Sequence, residues 1–347
     1  MNFNIHDLLY LKISGENRRY LDYLGKEYSF FKTDESINPD IEVIITDSVN
    51  PKGDYHPVDN KYFVKDGHLH CRDRYKMVRW SLSMDDLEGR TAVHFSGGFR
   101  GEYILKDFFI EPLLGFKLAT KGFTILHASA IAINDAGFVF AGGPESGKTA
   151  SLLSLNAPDN TFLADEITVL SHDGVIYSLP LPIRIYHHNL KDMTSIAHKL
   201  TPQQKLEVRM KHYIYRLSLG YIKLPLSIRP EKLFNRIGGT YPLRCLTLLT
   251  RTQGESIEVR EIADRKELAE RLFLINEQQF PYWFKYVSAY SSVYPSSRVA
   301  SHSQVMREHL SQALDNVACY EIKVPRRLPA SHREEFQKAI KTLERDA

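Results

Sequence analysis

Between Gly137 and Leu153 the chain reads GFVFAGGPESGKTASLL. An apolar run of strand type, FVFAG at 138–142, opens directly into a glycine-flanked loop, and the loop into a segment of helical composition. Gly142, Gly147, Lys148 and Thr149 meet the spacing G-x-x-x-x-G-K-[ST], which a chain of this length meets by chance on the order of 1% of the time. Each residue type has a physical task. Glycines let backbone N–H groups turn inward around a phosphate, where a Cβ would obstruct them. The following helix points its positive end at the anion. A lysine at position 148 reaches β- and γ-phosphates, and the Thr149 hydroxyl suits Mg²⁺. The expected nucleotide cradle is therefore Gly142, Gly143, Pro144, Glu145, Ser146, Gly147, Lys148, Thr149 and Ala150.

The flanking text adds groups that can do chemistry. TILHASAIAI (124–133) reads as a strand and NDAG (134–137) as a tight turn back into FVFAG. With Asp135-Ala136 as a two-residue loop, Asn134 faces Gly137 and His127 lies opposite Pro144, inside the glycine loop. The bland alternative is a satisfied core histidine. After the loop helix, which Ala157-Pro158 stops, comes the strand TFLAD (161–165) with Asp165 and Glu166 at its end. In a strand–loop–helix–strand crossover the two strands run parallel, so their C-terminal ends share one rim. One carboxylate can then hold Mg²⁺ with Thr149 while the other takes a proton from a hydroxyl. Neighbouring strand residues point to opposite faces, so joint action of Asp165 and Glu166 requires irregular backbone there. The alternative is a strand that merely ends at Asp165, with Glu166 facing solvent.

The series LHASAIAINDAGFVFAGGPESGKTASLLSLNAPDNTFLADEITVL resembles the catalytic core of the HPr kinase/phosphorylase superfamily, which is related in fold to PEP carboxykinase. The resemblance rests on the interval from His127 to Gly142 and on that from Lys148 to Asp165. It is firm over about 45 residues and looser out to roughly residue 325. It implies a P-loop kinase core with a mixed sheet, ATP and Mg²⁺ as cofactors, Asp165 as general base, His127 hydrogen-bonded to Asp165 and tuning it, and Glu166 as the metal-side carboxylate. Glu166 departs from the family's usual Asp, and the family's second, glycine-containing signature is absent. The chain is thus more similar to the divergent HPr kinase-like proteins, some of which phosphorylate Ser on a small peptide.

Beyond this core, residues 1–100 carry short strand-like runs such as IEVIITDS (41–48) and TAVHFSG (91–97), which predict a β-rich N-terminal domain. Residues 101–123 read as a linking helix with a kink or break at Pro112. Residues 124–347 read as the catalytic domain, with a basic helical insertion near 195–235. Arg184, in PLPIRIYHHN, either clamps a phosphoryl or carboxylate group or ends a surface strand. Arg251, at the end of another strand, either reaches the nucleotide or simply ends that strand. His187 and His188 are adjacent, so one metal cannot take both on a regular element. The cations of 205–223 read as a solvated helix face or a recognition surface, and the aromatic stretch 278–298 as core or as a substrate groove.

A net charge of +3 is too small to imply nucleic acid. No apolar run approaches the ~18 residues of a membrane span. Three isolated cysteines, Cys71, Cys245 and Cys319, form neither a disulfide framework nor a zinc site. With no secretory leader at the first residues, the expected setting is cytoplasmic. The sequence therefore predicts an α/β phosphotransferase acting on an alcohol group. Its expected acceptor is a Ser of a peptide or small protein, or else a small-molecule hydroxyl, and a non-catalytic nucleotide switch is the alternative. Its partners exclude membrane and nucleic acid and leave self-association into a homo-oligomer open.

Overall fold

Short strands alternating between buried and half-exposed residues build the first sheet, and residues 2–97 supply it. The computed structural model describes residues 1–347 apart from 37, 51–52, 188–197, 326–333, 337, 340–341 and 344–347. Among the described residues the chain is a mixed α/β protein with two large mixed sheets, one of nine strands and one of ten. It divides into two units, Met1–Thr124 with Asn276–His309, and Ile125–Ile275 with Leu310–Ala347. The expected single domain over 124–347 is thus interrupted: residues 276–309 return to the first unit.

The first sheet contains β1 (Asn2–Ile5), β2 (Leu9–Gly15), β3 (Lys32–Thr33), β4 (Ile41–Ile45), β5 (His56–Pro57), β6 (Tyr62–Lys65), β7 (His68–Tyr75), β8 (Val78–Asp85) and β9 (Thr91–Gly97). Their order is β3-β1-β2-β4-β9-β8-β7-β6-β5, with β2, β4 and β9 parallel and the rest antiparallel. In β2, β4 and β9 every second residue is buried, the period of a sheet packed on one face. The helical segment 101–119 follows without interruption at Pro112. A π-helical turn, Lys106–Ile110, precedes Glu111–Ala119, and the proline, which has no N–H to donate, sits directly after that turn. Lys106 is buried there among the carboxylates of Glu27, Asp107 and Glu111. The aromatic stretch expected to be core or groove is core. Trp283, Tyr286 and Tyr290 on the helix Pro281–Ser291 are buried, and Tyr286 stacks on Phe109 at 5.1 Å.

The second sheet contains β10 (Phe123–Leu126), β11 (Ala128–Ile133), β12 (Ala136–Ala141), β13 (Thr161–Ala164), β14 (Thr168–Ser171) and β15 (Val175–Tyr177). A separate two-stranded ribbon pairs β16 (Ile183–Ile185) with β17 (Leu226–Ile228). The sheet resumes with β18 (Arg236–Ile237), β19 (Thr240–Thr252), β20 (Glu258–Glu261) and β21 (Ala318–Pro325). Its main path is β10-β14-β15-β19-β12-β11-β13-β18, with β21 between β19 and β20. β11 is buried along its whole length and β12 nearly so, as continuous apolar runs demand when both faces are covered. Phe138, Phe140, Leu152 and Phe162 form the centre of this core. The ribbon is the base from which the insertion departs, and its helix is Pro202–Leu217.

The turn between β11 and β12 differs from the expected Asp135-Ala136 loop. Asn134 and Asp135 occupy it, with φ of 50° and 62°, and Ile133 pairs with Ala136. Both central positions of such a turn need positive φ, which Asn and Asp tolerate and Ala does not. The register therefore moves by two residues. Continued to His127, it points to Gly142, the first glycine of the loop, rather than Pro144.

Candidate functional site

β12 and β13 are each antiparallel to β11, so they are parallel to one another with β11 between them. Three chain segments consequently meet at one sheet edge: the start of β11 with His127 and Ser129, the end of β12 with the glycine loop, and the end of β13 with Asp165 and Glu166. β19 runs parallel to β12, with Leu248 opposite Ala141, and so delivers Arg251 to the same edge.

The loop is a tight structure. Ser146 N–H donates to the Gly143 carbonyl at 3.2 Å, closing a turn over Pro144 and Glu145. Glu145 holds φ at 62°, the positive value this turn requires after a proline. At Gly142, φ is 157° and an added Cβ would lie 2.6 Å from both the Leu249 carbonyl and Ser146 Oγ. Gly147, with φ 107°, admits the guanidinium of Arg251 nearby. Arg251 Nε donates to the Glu145 carbonyl at 3.0 Å and its NH1 to the Pro325 carbonyl at 2.8 Å. The helix Lys148–Ser154 starts directly after Gly147 and carries Thr149 and Ala150 in its first turn, with Ala150 against the core. Ser146 Oγ is buried without a hydrogen-bond partner among the described residues.

Lys148 is buried and folds back on the loop, donating to the carbonyls of Gly142 (2.8 Å) and Gly143 (3.0 Å). Burial lowers its pKa to about 8, against the opposing pull of Asp165 and Glu166. Asp165 is 3% exposed. Burial, with the nearby Glu166 charge, raises its carboxyl to about 6, while Ser129, Thr149 and Lys148 pull it down. Ser129 Oγ donates to Asp165 Oδ1 at 2.5 Å, and Thr149 Oγ1 lies 3.1 Å from both carboxylate oxygens.

The histidine reaches the acidic pair differently from expectation. His127 Nδ1 donates to the backbone carbonyl of Glu166 at 2.9 Å, and the hydroxyls of Ser129 and Thr149 take the place expected for it on Asp165. A carbonyl only accepts, so the proton sits on Nδ1 and Nε2 keeps its lone pair. Burial, then the Lys148 charge, depresses the imidazole to about 3, so the ring is neutral throughout the ordinary pH range. The reason for the changed pairing lies in the backbone. Glu166 has φ 73°, the irregular strand end that joint action of two neighbouring acids requires, and this turns its carbonyl toward His127. Its carboxylate meets Arg184 of β16 at 3.3 Å. Thr149 thus faces Asp165, and Glu166 holds an arginine.

Ser129 was not among the residues anticipated, although it lies two positions after His127, the spacing of one strand face. Lys223 was anticipated only as part of a basic face. It pairs with Glu145 at the loop apex and lies 5.1 Å from the Tyr186 ring. His187 stacks on His212 at 4.1 Å, and His188 lies outside the described residues. Among the described residues no cluster of three His, Cys, Asp or Glu side chains offers a metal site. The Thr149 hydroxyl, 3.1 Å from the Asp165 carboxylate, offers Mg²⁺ one protein oxygen at the loop helix, which suits an ion that keeps most of its waters. No helix of the described residues is long and apolar enough to cross a membrane.

No protein-family model matches the chain, and no curated protein matches its sequence.

Proposed function

We propose that the protein is an ATP- and Mg²⁺-dependent kinase that transfers a phosphoryl group to an alcohol, with a Ser of a peptide or small protein as acceptor. The second unit would then be a P-loop core of the HPr kinase/PEP carboxykinase type, and a reducing, cytoplasmic setting suits its buried thiols. The observation that carries the reading is Asp165: a buried carboxylate, raised to about 6, receiving the Thr149 hydroxyl of the glycine-loop helix. The loop supports an anion through its glycine backbone and through Ser146 Oγ, a buried donor that no group among the described residues satisfies.

MgATP would supply the electrophilic phosphoryl group and the neutralising metal charge. Lys148 would exchange its two loop carbonyls for phosphate oxygens, which costs little because both carbonyls lie within the cradle itself. Asp165 takes the proton of the acceptor hydroxyl as the new O–P bond forms and the bond to the leaving nucleotide breaks. A base near 6 is ionised at neutral pH yet retains more basicity than an exposed carboxylate. Thr149 would hold the metal and Asp165 would serve as base, while the pairing of Glu166 with Arg184 argues against its expected metal role. Glu166 positions Arg184, whose charge can meet the transferred group. His127 keeps the strand end in its turned conformation.

Incubation with labelled ATP, Mg²⁺ and panels of Ser peptides and small alcohols tests the reading. Transfer is expected for the native protein and not for Lys148→Ala or Asp165→Asn. Full transfer by Asp165→Asn would reject the base. Nucleotide binding lost with Lys148→Ala, with no transfer to any acceptor and no effect of His127→Ala, would favour the nucleotide switch instead.

A further inference from the structure

The helix Pro202–Leu217 starts from a complete capping box, Thr201 with Gln204, and a proline in its first turn. One side faces the protein: Val208 is buried, Lys211 donates to the Pro225 carbonyl and His212 stacks on His187. The other side carries Leu206, Met210, Tyr213 and Leu217, all exposed. Their spacing alternates four, three and four residues, which puts them on one line opposite Val208. Leu217 is 85% exposed, and Leu219 just beyond it 97%. With Tyr221 these side chains present on the order of 1,000 Å² of largely apolar surface, more than scattered surface hydrophobes amount to and about one partner's share of a specific interface.

The charge beside this line indicates the occupant. Arg209 and Arg216 lie seven residues apart on the same flank, both exposed. On the other flank the carboxylate of Glu207 is already paired with Lys211. From 202 to 223 the segment holds five lysines and arginines and one carboxylate. An antiparallel second copy would set the arginine flank against itself, a repulsive register. The segment also ends beside the glycine loop, where Lys223 meets Glu145, so a polypeptide lying on it runs toward that loop. This placement favours a polypeptide over a lipid surface.

We infer that the exposed face of helix 202–217 is the docking site for an acidic, amphipathic helical segment of a partner polypeptide. Leu206, Met210, Tyr213 and Leu217 form the seam, and Arg209 and Arg216 select acidic flanks. The inference concerns binding and goes beyond the proposed transfer activity, so it stands or falls without ATP.

The test uses the full chain and two fluorescein-labelled synthetic peptides of roughly 20 residues, with Leu at the a and d heptad positions and either Glu or Lys at e and g. Anisotropy titrations of the native protein are expected to show binding of the Glu peptide, about tenfold or more above the Lys peptide and weakening with salt. Arg209→Glu/Arg216→Glu should reverse that preference, with an unchanged unfolding midpoint because both side chains are exposed. Equal binding of the two peptides, or no binding of the Glu peptide, overturns the inference, and this comparison needs no variant. Two other results also overturn it. One is co-sedimentation of the native protein with phosphatidylserine vesicles that Leu217→Glu abolishes. The other is a dimer in sedimentation velocity that the same substitution dissociates.

Discussion

If Asp165 is held as the structure shows, the group proposed as base also destabilises the fold. Its carboxyl rises from 3.8 to about 6, chiefly through burial and then through Glu166. Two pKa units correspond to about 3 kcal/mol. The native state binds the proton more tightly than the unfolded chain, so the penalty is absent below 3.8, grows between 3.8 and 6, and is complete above about 6. Asp165→Asn removes the ionisation while keeping a similar shape, with an amide that can still pair with Ser129 and Thr149. Its stability relative to the native protein should therefore rise by about 3 kcal/mol between pH 3.5 and pH 7, whatever constant offset the new amide introduces. Both tryptophans, Trp80 and Trp283, belong to the first unit, so their fluorescence is the wrong probe. Hydrogen exchange of the β11–β13 amides, corrected for intrinsic rates, reads the opening free energy where Asp165 sits. A difference between the two proteins that stays constant over this pH range would refute the raised carboxyl and with it the base assignment.

The same electrostatics would set the pH profile of the proposed transfer. Activity should rise with the Asp165 carboxylate near pH 6 and fall as Lys148 loses its charge near pH 8, giving a bell in kcat/KM whose limbs belong to the coupled site. Ser129→Ala removes a hydrogen bond to the ionised carboxylate, so the acid limb should move upward by about one unit, as steady-state rates from pH 5 to 8 would show; a downward move would contradict the arrangement. His127 contributes no limb in this range, because its neutral form persists down to about 3. Gly142→Ala forces a Cβ to 2.6 Å from the Leu249 carbonyl, and thermal unfolding should register a loss of about 2–4 kcal/mol.

What the sequence reveals of this fold depends on how local the causes are. Glycines at 142 and 147, a proline before a positive-φ position and a short apolar run on either side act within a few residues, so the strand–loop–helix–strand order is legible. The β11–β12 register is a near miss for an equally local reason. Turn chemistry favours Asn134-Asp135 over Asp135-Ala136, and that preference outweighs the attraction of placing Gly137 beside the loop. The return of residues 276–309 to the first unit is illegible because nothing near Asn276 marks it. Aromatic residues such as Tyr286 find Phe109 far back in the chain. Aromatic density tells that a core exists and not which sheet it covers.

For the site, the sequence identifies the residues better than their pairing. His127, Lys148, Thr149, Asp165 and Glu166 do reach one sheet edge, because parallel strands joined by a crossover leave them no other end. Which acid faces which partner depends instead on a single dihedral. With φ at 73°, Glu166 leaves the strand alternation, gives its carbonyl to His127 and its carboxylate to Arg184, and leaves Asp165 to two hydroxyls. The longer Glu166 side chain reaches Arg184 on β16 at 3.3 Å, while Thr149 Oγ1 lies 3.1 Å from both oxygens of the shorter Asp165. In the proposed kinase the two neighbouring acids would divide the work, Asp165 facing the hydroxyl groups and Glu166 holding a cation at the same edge.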